Sequence, residues 1–478
     1  MMIRRSNRYR LVFLLWLLTI SAFSQTPETR PAAYLPYTEA QPLLTALNEI
    51  LPAELKNQKP EAMPQLWADW VARHDAAVRA RLAQGDVDTL VNFLLFGTSF
   101  TKEPRLTARE LVNLKQAMAS GTTHHKAGEI FQARVNDLAQ GLAAPGTNER
   151  LLFLRRLTQQ QGMNPNTPAG RGKLKEYLRE NLLRIIRESE SYTRILEAAR
   201  LQGGASEEFI ERSRLYRARG LSLDTSLMPN FAIEESLKAM QTRGLLNTGT
   251  ISRVAIIGPG LDFADKAGGY DFYPEQTLQA FALIDSLLRL GLAKADTLQL
   301  TTFDISPRVN AHLARARQRA KSGIGYLIQA PLEAHVTWRP EALRYWERFG
   351  DQIGTSARPI TPPAGLPDLK LRAVQIRPAI VSRLSHADLN IVVQRLNASA
   401  AGFDLIIATN ILVYYDVFEQ CLALKNIASL LRPGGFLLSN NALLELPGAQ
   451  MKSAGYLSVA YSDREADGDH IVWYQRQP

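Results

Sequence analysis

Phe403-Asp404-Leu405-Ile406-Ile407-Ala408-Thr409-Asn410-Ile411-Leu412-Val413-Tyr414-Tyr415-Asp416, followed by Leu431-Arg432-Pro433-Gly434-Gly435-Phe436-Leu437-Leu438, decides the fold. An acidic residue opens an apolar run of strand length, and the run ends on Asn410 and an aromatic pair. Phe418, Cys421, Leu422 and Leu424 then recur at helical spacing. A Pro-Gly-Gly turn leads into a second apolar run. An uninterrupted apolar strand is one covered on both faces, as in a parallel sheet flanked by helices.

Upstream, the same rhythm begins at Ile251. Val254-Ala255-Ile256-Ile257 is a short β run ending in Gly258-Pro259-Gly260. A helix is predicted over 277–290, a strand over 297–303 ending at Asp304, and a helix over 309–321. Strands alternating with helices predict a parallel, doubly wound α/β sheet for residues 246–478. Residues 325–369, with Trp338, Tyr345, Trp346 and a Pro-rich stretch, interrupt the rhythm and read as an insertion near the substrate end. Strand-helix order is expected to resume at 369–376. Residues 457–461 and 470–474, joined by a polar turn, predict a terminal hairpin. Residues 64–245 carry helical periodicity, with a break at Gly203-Gly204 and a new start at Ser206, and read as a large all-α region. Residues 25–63 read as a Pro-rich linker with a short helix.

The length of 478 residues suits two or three domains, and 46% hydrophobic against 21% charged residues predicts packed cores. The net charge of +10 fits solvated helix faces, or a basic surface for acidic partners or membrane headgroups. No Lys/Arg run is interleaved with aromatics, so nothing points to nucleic acid. Cys421 is the sole cysteine, which excludes an intrachain disulfide. It falls in an apolar helical pattern and reads as a core residue. His124-His125 and the scattered other histidines lack ligand spacing, so no metal is assigned. Arg4, Arg5, Arg8 and Arg10 precede an apolar run over 11–20 and a small-residue site ending at Ser24. Residues 1–24 read as a signal peptide for export to the periplasm or medium, with an uncleaved N-terminal anchor as the alternative. No transmembrane span is expected beyond that anchor.

The glycines of Gly258-Pro259-Gly260 let backbone N–H groups approach a ligand, or simply make a strand-to-helix turn. A nicotinamide fingerprint would place a third glycine where Phe263 stands. Asp304 ends its strand where a carboxylate can accept two ribose hydroxyls. Ser306 before Pro307 is the better helix cap, which leaves Asp304 for a ligand.

In this order the motifs resemble class I S-adenosylmethionine (SAM) methyltransferases over residues 251–474, with a Rossmann-like sheet. The Asn410-to-Asp416 wording is most similar to the CheR-type family, which methylates protein glutamates. The resemblance implies SAM as cofactor, with Asn410 and Ile411 against its methionine and ring portions. It implies Asp388 accepting the adenine amine, Leu389 covering the ring, and Tyr414 and Tyr415 walling the methyl-transfer site, with Tyr414 the catalytic candidate. The family's usual acid two residues before the first glycine is Ile256 here. Glu275 or Asp262 is then the candidate for balancing the SAM ammonium, with Glu275 alternatively a first-turn helix acid. Residues 98–105 are similar to a family segment near the methyl donor. The implied reaction is SN2 methyl transfer to a carboxylate or other nucleophile of an unknown acceptor, which includes proteins. The rival is a non-catalytic SAM-fold module in the cell envelope, favoured by Ile256 and by export away from cytoplasmic SAM.

Overall fold

The computed structural model describes residues 32–478, except 107–109, 112–125, 218, 265–267, 365, 367–368, 397–401, 441, 447–449 and 465–466, and except some side chains between 189 and 213. The 1–24 stretch and the His124-His125 pair lie outside the described residues.

A short strand β1 (Ala33–Tyr34) leads into α1 (Tyr37–Ala46). Helices follow: α2 (Met63–Phe96), α3 (Lys126–Ala143), α4 (Glu149–Gln160), α5 (Pro168–Arg217) and α6 (Pro229–Thr242). The break expected at Gly203-Gly204 is absent, because α5 runs 50 residues without interruption. An interior glycine costs about 1 kcal/mol relative to alanine, too little to stop a helix packed along α2 and α3. In the stretch read as a linker, Leu35, Leu44, Leu47, Leu51 and Leu55 are buried in the core under one face of the sheet. The Trp67 indole donates to the Leu35 carbonyl at 2.7 Å and ties that stretch to α2.

The α/β half comprises β2 (Arg253–Ile257), α7 (Gln279–Arg289), β3 (Gln299–Phe303), α8 (Pro307–Lys321), β4 (Tyr326–Glu333), α9 (Pro340–Arg348), β5 (Gly354–Ala357), β6 (Leu369–Ile376), β7 (Leu384–Ala387), β8 (Gln394–Arg395), β9 (Phe403–Ala408), α10 (Val417–Leu430), β10 (Leu431–Ser439), β11 (Met451–Ala460) and β12 (Gly468–Arg476). Seven strands form one sheet in the order β11-β12-β10-β9-β2-β3-β7. It is parallel from β10 to β7, and the terminal hairpin adds β12 and β11 antiparallel.

Strand order does not resume at 369–376. There β6 pairs antiparallel with β4 and β5 in a separate three-stranded sheet, and the main sheet resumes only at β7. The sequence carries the reason: Leu369-Lys370-Leu371-Arg372 alternates apolar with polar, as a one-sided antiparallel strand does, whereas β9 is apolar throughout.

Each face of the sheet has its own core. One holds Phe231, Phe281 and Leu283 from α6 and α7. The other holds Trp67 and Trp70 from α2 with Phe418 and Leu422 from α10. A third core joins the second half of α2 to α3, α4 and α5, and takes in Phe263 from the loop after β2. The acid that opens β9 is a latch at the edge opposite the strand tips. Asp404 accepts from the Ser252 and Arg253 amides at 2.8 and 2.9 Å and from the Arg432 guanidinium at 2.5 Å. Those hydrogen bonds outweigh its burial and hold its carboxyl below the usual range.

Candidate functional site

The strands end level. Ile257 pairs with Phe303, Phe303 with Ala387, and Ile256 with Ile407. Gly258, Asp304, Asp388 and Thr409 therefore stand in a row at the carboxyl edge of the sheet. Chain order reverses beside β2, the crevice in which open α/β sheets bind ligands. A cavity of about 150 Å³ opens there.

Its floor is the Gly258-Pro259-Gly260 turn. Both glycines have left-handed backbones, with φ of 69° and 70°. A Cβ on Gly258 would lie 2.2 Å from Ile411 Cδ1, and one on Gly260 would lie 2.5 Å from the Leu223 carbonyl oxygen. Glycine is thus required twice over, by conformation and by close approach.

Asp304 lines one wall. Its Oδ1 accepts the Ser306 amide at 2.7 Å, while Ser306 Oγ caps α8 through Val309 N. Burial pushes the Asp304 carboxyl up to about 7; the Ser306 hydrogen bond and the Arg308 charge pull it down, and the Asp388 charge adds to the rise. Leu389, Asn410, Ile411, Tyr414 and Tyr415 line the cavity too. Asn410 has φ 59°, a left-handed conformation that asparagine tolerates. Its amide nitrogen and side-chain oxygen are both held by Asn440, at 2.8 and 2.7 Å. The Tyr414 hydroxyl accepts the Ser222 amide at 3.4 Å, and its ring meets Tyr216 edge-on at 5.4 Å. Asp416, which closes the opening motif, is a helix cap: it accepts Glu419 N, and Glu419 accepts Asp416 N, a reciprocal capping box.

Three expected acids do not line the cavity. Asp388 turns its carboxylate to Arg79, which takes both oxygens at 2.9 and 2.6 Å. Glu275 is 8% exposed, with Oε1 unpartnered, and is not among the residues that line the cavity. Asp262 is buried under the Tyr273 hydroxyl at 2.7 Å and the Gln276 amide at 3.0 Å. Its backbone pairs with that of Gln276 in an isolated antiparallel bridge. Burial raises its carboxyl to about 7 against the pull of Arg150. Residues 98–105 also stay outside the cavity. Thr98 and Ser99 hold the Asp271 carboxylate at 2.7 and 2.8 Å, and Arg105 holds the Gly269 carbonyl at 2.6 Å.

Sequence reasoning missed the roof. Residues 221–226, between α5 and α6, cross the cavity as a strap. The strap is anchored where Leu221 N donates to Arg81 O at 3.1 Å and where Leu261 N donates to Leu223 O at 2.7 Å. Gly85 in α2 permits the crossing, since a Cβ there would lie 2.0 Å from the Leu221 carbonyl oxygen. No motif announces such a strap; only the unexplained Gly85 inside a helix could have raised the question. Asn230, 3% exposed, lines the cavity beyond it. Its Nδ2 donates to the Ser226 and Leu227 carbonyls at 3.0 and 3.2 Å, while Oδ1 is buried without a partner. Gln279 and Thr409, joined at 2.8 Å, complete the polar wall.

Among the residues lining the cavity, the charged ones are Asp224 and Asp304; there is no lysine, arginine or histidine. Among the described residues, no group of three or more His, Cys, Asp or Glu side chains is placed to hold a metal, and no helix is long and apolar enough to cross a membrane.

No family model matches the chain, and no curated protein matches it. Several solved structures are similar to it. The glycopeptide N-methyltransferase MtfA complexed with SAM shares 12% identity over 52% of this chain and 95% of that chain, with a TM-score of 0.24. Magnesium protoporphyrin IX methyltransferase (ChlM) from Synechocystis PCC 6803, with bound SAM, shares 12% over 60% and 97%, with a TM-score of 0.25. The O-methyltransferase NcsB1 from neocarzinostatin biosynthesis, in complex with S-adenosylhomocysteine and 1,4-dihydroxy-2-naphthoic acid, shares 11% over 84% and 96%, with a TM-score of 0.27.

Proposed function

We propose that this chain is a SAM-dependent methyltransferase of the CheR-like kind, acting on a carboxylate or other nucleophile of an acceptor that includes proteins. The carrying observation is the charge of the cavity. Its wall offers two carboxylates and no cation at a glycine turn on the carboxyl edge of the sheet. A nicotinamide dinucleotide would bring a pyrophosphate to a lining that has two carboxylates and no lysine, arginine or histidine to offset its charge. A ligand with a ribose diol, an ammonium and a sulfonium meets acceptors. The residues also fit such a ligand sterically: two left-handed glycines open the floor.

In this reading Asp304 holds the ribose hydroxyls, and Leu389 and Ile411 cover the apolar parts. The backbone of the Gly258–Gly260 turn approaches the ligand closely. SAM supplies an electrophilic methyl group on its sulfonium. A carboxylate acceptor is already ionised at neutral pH and needs no base, which suits a cavity wall without histidine. Tyr414, at the end of the strap, walls the acceptor side. The chain's contribution is alignment and exclusion of water.

Isothermal titration of the purified chain with SAM, S-adenosylhomocysteine and NAD⁺ tests the proposal. SAM and its demethylated product should bind and NAD⁺ should not. Binding of NAD⁺ in place of SAM, or no SAM binding at millimolar concentration, would sink it. Consumption of methyl-labelled SAM in the presence of cell protein separates an enzyme from a non-catalytic SAM-binding module.

A further inference from the structure

Cys421, Leu424, Lys425 and Ala428 recur at spacings of three and four along α10, so they share one face of that helix. That face, the end of α1 and the residues Leu444, Leu446 and Met451 enclose a second groove, of about 340 Å³. It shares no residue with the cavity at the strand tips. Nine of its eleven lining residues are apolar; the other two are Lys425 and Gln450. Leu444 is 45% exposed, and Leu43 and Leu446 are only partly buried against the neighbouring core. Lys425 is half-buried and is the single charged residue in the lining. Among the described residues it makes no ion pair or hydrogen bond. A lysine stem can lie on apolar surface while its ammonium stays at the water edge.

We propose that this groove binds one long-chain carboxylate, a free fatty acid, with its alkyl chain against Leu43, Leu424, Leu444 and Met451 and its head on the Lys425 ammonium. The volume is at the lower end of the roughly 300–1,000 Å³ of small-molecule sites, which suits a single slender chain. A helix about 10 Å across does not enter such a slot. One apolar slot with one unpaired cation matches a ligand with one apolar chain and one negative charge. A neutral chain would leave the ammonium unused, and a cationic amphiphile would be repelled by it. Burial of the chain would also cover the leucine that now faces water. The proposal is independent of the SAM reading, because the two sites have no residue in common.

The test varies chain length and head group separately. The full chain is titrated at pH 7 with octanoate, decanoate, dodecanoate, decanol and decylamine, each below its micelle-forming concentration. Affinity should rise about two- to fourfold per methylene from octanoate to dodecanoate. Decanoate should bind about 3- to 10-fold tighter than decanol, and decylamine weakest of the three. Lys425→Met keeps the apolar stem and removes the charge. It should bring decanoate down to the level of decanol while decanol stays within about twofold. Leu444→Glu puts an acid at an exposed position of the groove and should weaken decanoate more than decanol. Decanoate affinity unchanged by Lys425→Met overturns the proposal, as does equal binding of decanoate and decylamine, which marks mere apolar adsorption. Failure of the wild type to bind any of the carboxylates overturns it too. A wild-type dimer in light scattering that Leu444→Glu splits would also overturn it, since a second copy then covers the groove.

Discussion

Lowering the pH from 8 to 6 should weaken binding of 5′-methylthioadenosine about tenfold, through one residue. That residue is Asp304. Burial lifts its carboxyl to about 7, and a diol donates to the ionised form. With that midpoint about one carboxyl in eleven is ionised at pH 6 and about ten in eleven at pH 8. Affinity scales with the competent fraction, which gives the tenfold. Methylthioadenosine is the right probe because it has the diol and no amine to titrate. Calorimetry at pH 6, 7 and 8, in buffers of differing ionisation enthalpy, reads both the affinity and the proton released. Asp304→Asn should bind weakly and without slope. Asp262→Asn should keep the slope, because Asp262 has the same raised carboxyl but lies outside the cavity. Affinities within twofold at pH 6 and 8, or a slope that survives Asp304→Asn, would refute the reasoning. The same shift acts on the unliganded fold with a definite sign. A carboxyl raised in the folded state stabilises fully below its unfolded value and loses that contribution as pH rises through about 7. The difference between 3.8 and about 7 is on the order of 4 kcal/mol, so Asp304→Asn should raise stability most above pH 7.

Gly260→Ala should destabilise by about 1–3 kcal/mol in urea unfolding, more than Gly258→Ala. Its new Cβ meets the Leu223 carbonyl, whereas at Gly258 it meets the movable tip of Ile411; equal effects would count against a fixed strap. Asp388→Asn should lower stability by about 1 kcal/mol or less, being a half-exposed pair with Arg79, and leave methylthioadenosine affinity within twofold; a larger affinity loss would restore Asp388 to the cavity. The Arg308 guanidinium lies 4.1 and 4.7 Å from the Phe153 and Phe263 ring centroids, with its three nitrogens buried and unpartnered. Arg308→Met should therefore keep or raise stability, by up to about 2 kcal/mol. It should also move the Asp304 midpoint upward, because the Arg308 charge holds it down; differential titration of Asp304 by NMR checks both signs. Removing one partner of the buried His74–Glu419 pair, 2.9 Å apart, should cost about 3 kcal/mol, and the Glu419→Gln melt reads it.

Local pattern was enough for the parallel strands of the main sheet. The apolar run of β9 and the glycine turn after β2 each follow from rules that act within a few residues, whereas the expected Pro-Gly-Gly turn is a register shift inside β10. The position of Asp304 is local too, since a residue that follows a parallel strand must stand at the carboxyl edge. Two sequence readings failed where the deciding contact was distant. Gly203-Gly204 reads as a break, yet neighbours along α5 override a weak propensity. Residues 369–376 read as a return to the main sheet, though their alternation already suited a one-sided strand.

The site divides in the same way. The sequence by itself determined the floor and one wall: Gly258, Gly260, Asp304, Leu389, Asn410, Ile411 and Tyr414 all lie on elements whose ends the local pattern fixes. Which acids face the cavity was decided only by tertiary structure. Asp262 and Asp388 are near it in sequence but are held by Tyr273 and Gln276 and by Arg79, and Glu275 is buried outside the lining. Asp224 comes from the strap between α5 and α6, which Gly85 lets cross α2, and Asn230 comes from the first turn of α6. A side chain's direction depends on partners far along the chain, and those partners meet only when the chain has folded.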